Sequence, residues 1–156
     1  MEIARLLHMF GAPVLALFGG VGLRAAGRLM PGLGQDRGTV DFADAPPPCR
    51  PYRPEPARIL SGDPAQTVSF VYRNADGSVS AGIWTCQPGK WRIDFEQDEF
   101  VHILEGEVVV TDGDGRAKTY RAGDAFVTPA GFSGTWDVRR PVKKHFSLGG
   151  PPAAAA

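Results

Sequence analysis

One carboxylate stands out as a group that could do chemistry. Glu99 opens the apolar run EFVHIL inside DFEQDEFVHILEGEVVVTDGDG, residues 94–115. A carboxylate buried in such a run costs several kcal/mol (roughly) unless it is paired, hydrogen-bonded or protonated. An upward-shifted pKa would make it usable as an acid or a base near neutral pH. Strand alternation places Val101 and Ile103 on the face of Glu99 and turns His102 to the other. An indole N–H is one partner available to it, from a tryptophan of the same interior. Two roles stay open for Glu99: tying strands together through hydrogen bonds, or contacting a ligand and moving a proton.

The other chemistry-bearing residues read more plainly. Cys86, within GIWTCQ, reads as a small buried apolar residue rather than a nucleophile. Asp112 and Asp114 flank GDG, but no terminal glutamate follows at calcium-loop spacing, so the segment reads as a hairpin turn. The basic residues of RRPVKK (139–144) read as a solvated edge or an anion contact. His102 reads as a surface or interface residue by its outward parity. Residues 144 and 145 must face opposite sides of their strand, so only one of Lys144 and His145 can look inward.

The elements that must position these groups are strands. Short runs rich in Val, Ile, Phe, Tyr and Trp alternate with turn residues: TVSFVYR, SAGIWTC, KWRIDF, EFVHIL, EVVVTD, AKTYRAG, DAFVTPAG, GTWDV and KKHFSL. NADG, QPG, EG and GDG separate several of them, and the 94–115 stretch reads as a hairpin of two strands turning at EG. No helical period intervenes, so the expectation is an all-β sandwich or barrel, closed to protect its edges.

Around this unit, DAPPPCRPYRPEP (44–56) is too proline-rich for helix or central strand and reads as an extended arm lying along a sheet edge. The chain therefore divides into an apolar, glycine-rich N-terminal extension at 1–40, a proline-rich arm at 41–56, a folded domain at 57–148 and a frayed tail at 149–156. The run FGAPVLALFGGVGL (10–23) is uncharged but shorter than the ~20 residues a membrane helix needs. It reads as an upstream extension or a loosely docked helix, with a signal or anchor as the alternative. Seventeen basic and seventeen acidic residues cancel, so no net field draws the protein to nucleic acid or an acidic membrane. The two cysteines are too few for a disulfide framework and form no C-x-x-C pair, which fits a cytoplasmic location.

The string E-x-x-x-x-L-x-G (Glu99 to Gly106) followed by GDAFVTPAG (123–131) resembles the cupin superfamily. WTCQPG (84–89), DEFVHILEG, GDAFVTPAGFSGTW and VKKHF resemble, more narrowly, the small single-domain cupins of the ureidoglycine aminohydrolase group, over about residues 60 to 148. The resemblance implies an RmlC-like jelly-roll barrel. A metal-binding cupin carries two histidines before the glutamate and a third after the P-x-G. Counting from Glu99, those positions fall on Ile93 and Phe95, or on Arg92 and Asp94 with the longer spacing, and the third on Gly134. One carboxylate among such residues does not suit a transition ion, so the expectation is no metal and no other cofactor.

The alignment also places Ile93 and Phe95 inward, with Trp91 and Trp136 following by parity, and matches Lys144 to a lysine of the family's C-terminal segment. Trp84, Trp91, Ile93, Phe95, Val101 and Trp136 are then the candidate ligand-binding wall, with Glu99 and Lys144 the candidate acid–base pair. The tryptophans equally suit plain core packing. Three functions follow: a metal-independent binder of a small polar metabolite, a metal-independent hydrolase or isomerase using Glu99 with ureides as a substrate class, or an accessory protein whose barrel is filled by its own side chains. The resemblance further implies a homodimer, with the proline-rich arm a candidate for crossing to the partner's sheet edge.

Overall fold

The computed structural model describes residues 38–150. The apolar run at 10–23 and most of the tail lie outside the described residues. Eight strands follow two short 3-10 turns, Phe42–Asp44 and Pro56–Arg58: β1 (Ile59–Gly62), β2 (Gln66–Arg73), β3 (Ser80–Cys86), β4 (Gly89–Asp94), β5 (Asp98–Asp112), β6 (Ala117–Arg121), β7 (Ala125–Thr128) and β8 (Ser133–Gly149).

β5 and β8 are the long strands, and they pair with one another along both of their halves. The first half of β8 also pairs with β4, and the second half with β3. β5 mirrors this, its first half pairing with β7 and its second with β6. Two antiparallel layers result, β2-β3-β8-β5-β7 and β1-β4-β8-β5-β6, which share the two bent strands. This is the expected jelly roll. Its ladder ends at β2 and β7 in one layer and at β1 and β6 in the other, so the expected closure comes from the facing layers rather than a continuous ring of backbone bonds.

The bends explain one correction. Residues 94–115 do not form a two-strand hairpin turning at EG; EFVHIL and EVVVTD are one strand, kinked where the register slips between Ile103 and Val108. Gly106 sits in the kink at φ 89°, and a Cβ there would collide with the Pro141 carbonyl oxygen. A bulge at a glycine bends the strand without ending its pairing. The same happens opposite, where GTWDV and KKHFSL merge into β8 through Pro141, at a point where the register with β5 is irregular and no N–H is required. The true hairpin turn comes later, at GDG. There the Asp112 side chain accepts hydrogen bonds from the Asp114 and Arg116 backbone N–H groups.

Alternation then sets the interior. In β3 and β4 every second residue is buried, and the core gathers Val68, Trp84, Trp91, Ile93, Phe95, Val101, Ile103, Val108, Trp136, Val142, Phe146 and Leu148 between the layers. The proline-rich arm lies on its own chain's β2 edge. The Cys49 N–H donates to the Val68 carbonyl, and Tyr52 and Gln66 exchange backbone bonds.

Candidate functional site

The site is built from five strands that turn alternate residues inward. Glu99 and Val101 come from β5, Trp84 and Cys86 from β3, Trp91 and Ile93 from β4, Trp136 and Lys144 from β8, with Phe95 just past β4. Gln66 opens β2 on the same face as Val68, which pairs with Trp84. The eight residues expected of the interior are all brought there, none more than 4% exposed. Lys144 turns in and His145 out, as their parity requires.

At the centre, Lys144 Nζ donates to Glu99 Oε1 at 2.8 Å, with both side chains sealed from solvent. The ammonium also lies 4.8 Å from the Trp84 ring centroid and 4.4 Å from that of Trp136, within cation–π range. The three indoles pack against each other at 5.7 to 6.4 Å between centroids. Of the two partners open to Glu99, the structure therefore selects the lysine.

Burial pushes the Glu99 carboxyl above its usual range, and the nearby ammonium opposes that push. Burial likewise pulls the Lys144 amine down, against the attraction of Glu99. A lone buried charge would neutralise itself; here a single proton shared across a short contact serves both groups, whichever side it sits on. The pair is incompletely satisfied even so. Glu99 Oε2, Trp91 Nε1 and Trp136 Nε1 are buried and have no hydrogen-bond partner, as do both side-chain polar atoms of Gln66. The first three comprise one acceptor and two donors within the interior that holds the ion pair. Buried orphans of this kind are few in natural proteins, and each costs roughly 1–3 kcal/mol.

Sequence reasoning missed two members of the site, Tyr52 and Gln66. The Trp84 indole donates to the Tyr52 hydroxyl at 3.2 Å, so the arm supplies a side chain to the interior wall. Burial raises the phenol's pKa, which keeps it neutral. The available signal was a lone aromatic set between charged and proline residues in CRPYRP; which strand it would reach depends on how the arm packs.

The donor set does not fit the metal implied by the fold. Ile93 and Phe95 offer no ligand atom, and Arg92 and Asp94 at the alternative spacing point outward, where Asp94 takes the Arg58 guanidinium at 2.6 Å. A Cβ at Gly134 would collide with the Thr111 carbonyl oxygen, so no side chain fits there on this backbone. Among the described residues no cluster of three or more His, Cys, Asp or Glu side chains has metal-holding geometry.

The remaining candidates stand elsewhere. His102 and His145 are cross-strand neighbours on the outer face, with ring centroids 6.2 Å apart. Cys86 is buried, and burial raises its thiol's pKa, as befits an inert core residue. The basic stretch is a charged rim: Arg139 meets Asp137 at 2.7 Å, and Lys143 lies 3.8 Å from Glu105. A groove of about 490 Å³ lies on the outside of β4 and β8, lined by Arg58, Arg92, Asp94, Gly113, Ser133 and Thr135, and none of the interior polar groups opens into it. Among the described residues no helix is long and apolar enough to cross a membrane.

Comparison with known proteins follows the same geometry. The EutQ-like cupin domain family matches residues 73–146, which run from the end of β2 to Phe146. A DUF861 family protein from Thermotoga maritima is 35% identical, over 42% of this chain and 75% of its own, with a TM-score of 0.42. The chain belongs to the cupin family. A protein of the DUF861 family from Pseudomonas syringae superposes with a TM-score of 0.62 at 21% identity, covering 74% of this chain and 50% of its own. Ethanolamine utilization protein Q of Salmonella typhimurium gives 0.50 at 24% identity, covering 57% and 71%. Both likenesses bear on the fold of this cupin. A search of curated proteins finds no match to it.

Proposed function

We propose that this cupin binds a small polar metabolite at the Glu99–Lys144 pair, without a metal. The observation that carries the reading is the set of unpartnered buried atoms in the same interior, Glu99 Oε2, Trp91 Nε1 and Trp136 Nε1. A molecule with a hydrogen-bond donor for the carboxylate and an acceptor for the indoles would satisfy these atoms, each of which otherwise costs roughly 1–3 kcal/mol. Ureides, amino alcohols and small polyols have that pattern. The first class agrees with the chain's resemblance to the ureidoglycine aminohydrolase group, and the second with the name of the Salmonella relative. In its enzymatic form the same reading uses the Glu99–Lys144 pair as acid and base on the bound molecule.

A second reading is favoured by a different observation. Trp84, Trp91 and Trp136 are each 1% exposed and in mutual ring contact, as expected of a barrel filled by its own side chains. Titration calorimetry with ureidoglycolate, allantoate, ethanolamine and glycerol separates the two. Binding reduced about tenfold or more by Glu99→Gln, which removes the charge and keeps the shape, supports the binding site. Absence of heat with all four probes, alongside a Trp136→Phe variant clearly less stable than the parent, supports the filled barrel. In either reading the protein is proposed to work in a reducing compartment, in keeping with two free thiols.

A further inference from the structure

The outer face of the β2-β3-β8-β5-β7 layer carries a feature that the interior site does not use. Ser69, Ile83, His145, His102 and Ala125 form one cross-strand row running from β2 to β7. Traced backward from Tyr52, the arm first follows the β2 edge, where the Ser69 hydroxyl donates to the Pro46 carbonyl. It then crosses onto the sheet, and the Phe42 ring meets His145 edge-on at 4.6 Å. Ser69 to His145 is two strands across, about 10 Å at the usual spacing. From Pro46 at Ser69 to Phe42 at His145, the described part of the arm runs along this row in the direction of β5 and β7.

Two exposed apolar side chains, Phe100 and Val127, lie in that direction, whereas Leu60 is on β1 of the other layer. Among the described residues the exposed large hydrophobics are Val40, Leu60, Phe100 and Val127. Val40 is two residues upstream of Phe42, and Phe100 pairs directly with Val127, one outward position on from His102 and Ala125. Phe100 is 47% exposed and Val127 59%. Exposed apolar residues side by side on a terminal strand and its neighbour call for a cover.

We propose that the apolar run at 10–23 of the same chain docks over the outer face of β8, β5 and β7, covering Phe100 and Val127. Residues 24–41 join the run to the arm, and extended they reach far beyond the two remaining strand spacings of ~10 Å. A segment tethered this closely acts at an effective concentration in the millimolar range, on the order of a thousandfold above a second copy at micromolar concentration. Val14, Leu15, Leu17 and Phe18 supply the apolar groups, and no charge in 10–23 opposes burial. The N-terminal segment is then part of the fold, and the arm is the strap that aims it.

Hydrogen exchange on the full chain tests this. The expected result is exchange within 10–23 slowed about tenfold or more against the free-peptide rate, equally at low and high micromolar protein, and lost in Phe100→Lys/Val127→Lys while β4 and β8 stay protected. Exchange at the free-peptide rate overturns the proposal, as does protection that survives the double variant. Protection that fades on dilution overturns it in favour of a second copy on the same face. Should the double variant lose its β4 and β8 protection, Leu15→Asp/Leu17→Asp replaces it. That change must speed exchange of the β7 amides by about tenfold, and unchanged β7 exchange refutes the docking.

Discussion

Replacing Lys144 by Met should destabilise this cupin by an amount that depends on pH, because the pair shares one proton. With both partners present, the folded pair holds one proton, and so do an unfolded glutamate and lysine between their ordinary pKa values, about pH 4.3 and 10.4. The pair therefore adds almost no slope to stability through neutral pH. Lys144→Met leaves Glu99 alone in a sealed interior, where burial raises its pKa. A carboxyl raised on folding binds more protons in the folded state. The variant's extra cost is then small below about pH 4 and grows by up to about 1.4 kcal/mol per unit as pH rises toward the folded pKa.

Removing one partner of a buried pair costs roughly 3–5 kcal/mol in total. Loss of the ammonium over Trp84 and Trp136 adds a part that does not vary with pH, about 1–2 kcal/mol. Urea unfolding of parent and variant at pH 5 and 7.5 reads the difference directly. A gap that widens by about 2 kcal/mol or more between the two conditions is expected. Glu99→Gln should show the opposite slope, since a lysine depressed by burial regains stability as pH rises. A gap equal at both pH values would refute the account of a sealed, proton-sharing pair, and would mean that water reaches Glu99.

The double change Glu99→Leu/Lys144→Met should cost less than either single, being neutral to slightly stabilising on the order of 1 kcal/mol, and a double variant as weak as the singles would contradict this. Gly106→Ala forces a side chain into a left-handed position against the Pro141 carbonyl, so its urea midpoint should fall by the equivalent of at least ~2 kcal/mol. A thiol reagent should label one cysteine of the native protein quickly, the exposed Cys49, and reach Cys86 only in denaturant; two fast thiols would show an open interior. Arg58→Ala, which removes a half-exposed partner of Asp94, should change stability by no more than about 1 kcal/mol in calorimetry.

Much of this was legible in the chain because period-two alternation needs only local information. Burial of Trp91, Ile93, Phe95, Val101 and Trp136 follows from strand parity and the motif positions, and parity also required Lys144 and His145 to part company. Glu99 could be marked as a costly buried acid from sequence, because the price of burying a charge does not depend on the neighbour that offsets it. Strand boundaries were less secure. A glycine that bends a strand and one that turns it look alike in sequence, and only the Pro141 carbonyl opposite Gly106 makes that site a kink. The tertiary structure alone decided what meets across the two layers: that Glu99 is held by the lysine rather than an indole, that Tyr52 reaches the Trp84 indole from the arm, and that Phe42 comes to rest on His145. These contacts join residues far apart in sequence, so their geometry is set by how the bent β5 and β8 stack the layers, which no local pattern encodes.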